Sequence, residues 1–63
     1  MTSEDRTDAL WAVSNLRTLR ENIYSYMTFA RGVCDDMELH DLTEQAQAAI
    51  DKIIKHIEDG LQG

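Results

Sequence analysis

The chain contains no proline and only three glycines, two of which, Gly60 and Gly63, fall in its last four residues. Nothing in it forces a break before Gly32, and the turn punctuation that all-β and loop-rich domains require is missing. A single cysteine, Cys34, excludes an internal disulfide. The longest uninterrupted apolar run is Ala9-Leu10-Trp11-Ala12-Val13, far short of the roughly 20 residues that a membrane-spanning helix needs. The first residues, Met-Thr-Ser-Glu-Asp-Arg, lack the basic-then-apolar order of a secretory signal. A reducing cytoplasm and no membrane association are therefore expected. Lysine is scarce, with only Lys52 and Lys55, and the aromatics number four: Trp11, Tyr24, Tyr26 and Phe29.

What the chain does have is alanine, leucine, isoleucine, glutamate and glutamine, a composition that favours helix throughout. Sixty-three residues make one domain at most. Net charge is −6 and uneven. Four acids and four arginines cancel over residues 1–34, so residues 35–63, with eight acids and two lysines, hold all of it. Duplex phosphates would repel such a chain, so a nucleic-acid partner is disfavoured on charge.

Thr2-Ser3-Glu4-Asp5 has the form of a capping box, and the apolar residues that follow recur at helical spacing. Written as a heptad, the a positions are Ala9, Leu16, Ile23 and Ala30, and the d positions are Ala12, Leu19, Tyr26 and Val33. This pattern predicts a first helix over about residues 3–32, ended by a left-handed Gly32. Asp41-Leu42-Thr43-Glu44 is a second acid-type start signal. It predicts a loop over about 33–41 and a second helix over about 42–60, with an apolar stripe of Leu42, Ala46, Ala49, Ile50, Ile53, Ile57 and Leu61. The fold class is all-α, an antiparallel two-helix hairpin. On these bounds the first helix overhangs the second, and Trp11 lies in the uncovered part.

Two arguments then favour self-association into a dimeric four-helix bundle. Ordering every residue costs roughly 95 kcal/mol, and the surface that folding removes from water returns about 90–95 kcal/mol, so one hairpin is marginal. Trp11 and Phe29 also project about 120° from the main stripe of the first helix, with Tyr26 and Val33 bridging toward it and Leu10 beside Trp11 in the overhang. One neighbouring helix cannot cover so broad a face. Leu10, Trp11, Tyr26, Phe29 and Val33 are the candidate surface for an oligomer or a protein partner.

A second candidate site is electrostatic. All four arginines, Arg6, Arg17, Arg20 and Arg31, point within about 60° of one another on the first helix. Tyr24 lies on the same strip. Guanidinium forks bind phosphate and carboxylate bidentately, so Arg17, Arg20, Tyr24 and Arg31 form a candidate surface for an anionic ligand or an acidic partner. Salt bridging to the acids of the second half is the competing role.

Neither metal nor nucleophilic chemistry is expected. Asp35, Asp36, Glu38, His40 and Asp41 match no calcium loop or zinc spacing. Cys34 and His56 fall at opposite ends of a hairpin, so they cannot form a catalytic pair. No cofactor is implied. The expectation is a non-enzymatic interaction module working as a homo-oligomer, a regulator or inhibitor of the small acidic kind that phages and bacteria encode. The alternative is a nucleotide or RNA held by the arginine strip. The expected architecture resembles the ROP-type plasmid regulators, hairpin dimers of similar length. No sequence motif carries that resemblance, and RNA binding does not follow from architecture alone.

Overall fold

A computed structural model describes residues 1–63 as two helices and no strand: α1, Ser3–Ala30, and α2, Met37–Gln62. The helices pack antiparallel in a slab whose Cα extents are 46 × 16 × 10 Å, one helix thick.

The start of α1 is the expected capping box. Asp5 N donates to Thr2 Oγ1 at 3.1 Å, and Thr2 N donates to Asp5 Oδ2 at 3.4 Å. Two of the helix's orphan donors are thereby satisfied. Its end differs from expectation. Gly32 has no positive φ, and α1 stops at Ala30. Arg31 N donates to Met27 O, and the Ala30 carbonyl accepts from both Val33 N and Cys34 N. These bonds close the turn with right-handed backbone, so the freedom of glycine is not needed here.

The second correction is larger. α2 begins at Met37, five residues before the expected start, because Asp36 takes the N-cap. Its Oδ1 accepts from Leu39 N at 2.8 Å. The sequence carries two acid caps in tandem, and the earlier one adds more than a turn that reaches the interhelical seam at Leu39. At the far end α2 continues through Gly60 to Gln62. The helices, of 28 and 26 residues, thus run about 42 and 39 Å. There is no overhang: Arg6 Nη1 donates to Leu61 O at 3.1 Å.

The seam on α1 is Ala9, Val13, Leu16, Arg20, Ile23, Met27 and Ala30. It keeps the a positions of the heptad and replaces the d positions with Val13, Arg20 and Met27. Opposite stand Leu39, Thr43, Gln47, Ile50, Ile54, Ile57 and Leu61. Val13, Ile50 and Ile54 are buried together, with Leu16, Ile23 and Ile57 against them. Toward the turn the seam is polar. The Thr43 hydroxyl donates to Leu39 O at 2.7 Å beside Met27 Sδ, and Gln47 Nε2 donates to Arg20 O at 3.4 Å. Only six residues are buried, and no large side chain is wholly enclosed.

Candidate functional site

A slab one helix thick has two broad faces, and here they differ in chemistry. Viewed down α1 from its N-terminus, Ala12, Leu19 and Tyr26 lie about 70° counterclockwise from the seam. On α2, Leu42, Ala46, Ala49 and Ile53 lie at nearly the same offset from its own seam. Because α2 runs the opposite way, both rows emerge on the same side of the hairpin. Leu19, Tyr26, Leu42 and Ile53 are 47%, 65%, 54% and 48% exposed. Asn15 and Asn22 fill the intervening turns of α1, and His56 and Gly60 continue the α2 row toward the open end.

Between Ala12 and Tyr26 on α1 and between Leu42 and Gly60 on α2 this face holds no formal charge, whereas Asp5 and Asp8 continue the α1 row at the open end and Glu38 borders the α2 row at the turn. The chain has six basic and twelve acidic residues, yet none falls among Ala12, Asn15, Leu19, Asn22 and Tyr26 of α1 or along the α2 row from Leu42 to Gly60. The middle of the face is therefore uncharged, a mixed surface of Leu19, Tyr26, Leu42 and Ile53 with Asn15, Asn22 and His56 between them, while the charged residues lie at its two ends, on the outer edge of α2 and on the opposite side.

The opposite face carries the arginines. Arg17 Nη2 lies 3.2 Å from Glu58 Oε2. Arg20 Nε lies 2.8 Å from Asp51 Oδ1, as an ion pair whose N–H points off the line to the oxygen. Arg6 is engaged with the Leu61 carbonyl, and Arg31 makes no ion pair. Tyr24 is half exposed on this side. A shallow groove of about 480 Å³ runs between Arg6, Leu10, Val13, Arg17, Glu58 and Leu61. The four guanidinium groups therefore share a strip, but two of them face carboxylates of α2.

The five residues read as one apolar contact surface separate in three dimensions. Tyr26 lies on the face bearing Leu19. Trp11 and Phe29, 69% and 82% exposed, lie further round, on the outward edge of α1. Leu10 lines the arginine groove, and Val33 stands in the turn. The reading of the second helix missed a division: Ile50, Ile57 and Leu61 face α1, whereas Leu42, Ala46, Ala49 and Ile53 do not. The signal that separates the two groups was present in the spacing, since the stripe was wider than one neighbour can cover.

No group of three or more His, Cys, Asp or Glu side chains is placed to hold a metal ion. His40 Nε2 is 4.0 Å from Asp35 Oδ1. Cys34 is exposed in the turn, at the other end of the molecule from His56. No helix is long and apolar enough to cross a membrane. Comparison with protein-family models, curated proteins and solved structures finds no match.

Proposed function

We propose that this chain is a non-enzymatic protein–protein interaction module, working as a homo-oligomer and acting as a regulator or inhibitor by occupying a surface rather than by transforming a substrate. The observation that carries this reading is the face bearing Leu19, Tyr26, Leu42 and Ile53 at about half exposure, with no charge between Ala12 and Tyr26 on α1 or between Leu42 and Gly60 on α2. Interface cores are depleted of charge and enriched in aromatic side chains, and the uncharged middle of this face, with Tyr26 exposed on it, agrees with that on both counts.

The test is substitution on the face. Tyr26→Glu leaves the α1–α2 seam untouched, so the variant keeps its helical circular dichroism. It is expected to lose the binding that wild type shows, both in solution mass and in capture of protein partners. A Tyr26→Glu protein that associates as well as wild type would remove the support for this reading.

The alternative, a nucleotide or RNA on the arginine strip, has less behind it. Such a ligand would have to displace Glu58 from Arg17 and Asp51 from Arg20, and it would approach a chain of net charge −6.

A further inference from the structure

We propose that the occupant of the face bearing Leu19 is a second copy of this chain, placed by a twofold axis perpendicular to the helices so that the connecting turns lie at opposite ends and α1 packs on α1. The inference rests on reading this face as an interaction surface. It adds which face the second copy covers and how the two copies are arranged.

Area sets the size of the missing contact. A compact chain of 7.2 kDa exposes about 4,100 Å² by size scaling. This hairpin exposes 5001 Å². Two such chains packed as one compact body of twice the mass would expose about 6,800 Å² by the same scaling, so pairing removes about 1,600 Å² from each, a total within the roughly 2,000–5,000 Å² of obligate homodimers. The angle sets the number of helices. The exposed row stands about 70° from the seam on α1 and about 85° on α2, together nearer the corner angle of a square of four helices than the 60° of a triangle.

The grading of side chains sets the orientation. Large residues, Tyr26 and Leu42, occupy the turn end of the face, and small ones, Ala12 and Gly60, lie toward the open end, where Asp8 follows Ala12 at the rim. Two such wedges keep an even spacing only when stacked end for end, large against small. The α1 sequence is also self-complementary about Leu19. With Leu19 on the axis, facing residues have numbers summing to about 38. Ala12 then meets the partner's Tyr26, and Asn15 meets the partner's Asn22, amide to amide. Trp11 falls within a turn of the partner's Phe29 along the outer edge, which accounts for two large aromatics that the single hairpin leaves bare.

The α2 register follows without further choice. Within the hairpin, Arg20 faces Asp51 and Met27 faces Thr43, so an axis at Leu19 crosses α2 near Asp51. Ile53 then meets the partner's Ala49, Leu42 meets the partner's Gly60, and Ala46 meets the partner's His56. The other twofold arrangement, turns together and α1 on α2, stacks Tyr26 beside the partner's Leu42 at one end and Ala12 on the partner's Gly60 at the other. It also brings Trp11 and Phe29 level with the partner's Asp59 and Asp41.

The experiment combines mass and cross-linking. Sedimentation equilibrium of the wild-type chain at micromolar concentration is expected to give twice the 7.2 kDa chain mass. Leu19→Glu, which sets two carboxylates face to face on the axis, is expected to give the single mass with helical content retained. Leu19→Cys in a Cys34→Ser background is expected to oxidise to an interchain disulfide. A dimer that instead cross-links through native Cys34 and not through position 19 overturns the arrangement while leaving the interaction module standing. A monomer that loses a captured protein on Leu19→Glu overturns the second copy, and with it the homo-oligomer, while leaving the interaction surface standing. A monomer indifferent to Leu19→Glu overturns both.

Discussion

At the scale of single residues, the two faces separate two kinds of energetics. Ile54 is 6% exposed at the centre of the only apolar cluster. Its truncation to alanine removes three buried carbons and leaves a hole, a change that costs about 2–4 kcal/mol. Arg17 makes a tight-looking ion pair with Glu58, but the side chains are 60% and 45% exposed. Water screens such a pair, and its loss is worth under about 1 kcal/mol. Thermal melts of Ile54→Ala and Arg17→Ala are therefore expected to differ sharply, with the isoleucine variant largely unfolded at room temperature and the arginine variant near wild type. Trp11 reports on something else. In the hairpin alone its indole meets water, so iodide quenching is expected to be strong in the Leu19→Glu monomer and weak in wild type.

At the scale of elements, the caps and the seam show what could be read from the chain and what could not. The Thr2–Asp5 box was legible because its two hydrogen bonds are local and need only a hydroxyl and an acid three residues apart. The a positions were legible because a helix that packs on anything must bury one stripe. Which flank of that stripe turns inward was not legible. Ala12-Leu19-Tyr26 and Val13-Arg20-Met27 are both acceptable flanks by spacing, and composition favours the more apolar first set. The choice is made by α2, which offers Thr43, Gln47 and the Asp51 carboxylate level with Met27 and Arg20. The face bearing Leu19 was hidden for the same reason, since half of it had been assigned to the hairpin interior.

The start of α2 was ambiguous for a reason that can be tested. Asp36 and Asp41 are both followed by helix-forming residues, so removing the first cap leaves the second available. Asp36→Ala is expected to cost about 0.5–2 kcal/mol. Amide exchange should accelerate at Leu39 and His40 while Glu44 onward stays protected. Uniform acceleration along α2 would mean that the first turn is not separable from the rest.

At the scale of the whole molecule, the shortage of buried surface and the excess of charge act on different equilibria. Six buried residues give a single hairpin little margin. Anything that binds only the folded form raises the melting temperature by mass action, and a second copy is such a ligand. The melting temperature of wild type is therefore expected to rise as the protein is concentrated, and that of Leu19→Glu to stay fixed. Charge makes the complementary prediction. A dimer closed through the faces bearing Leu19 turns both arginine–acid faces outward and doubles the net charge of −6 per chain. Arginines already held by Glu58 and Asp51 sit in a negative field that polyphosphates do not enter readily. Nucleotides and RNA at moderate salt are thus expected to leave the melting temperature unmoved. A clear rise on adding nucleotide, abolished by Arg17→Ala and by added salt, would transfer the working surface from the apolar face to the arginine strip.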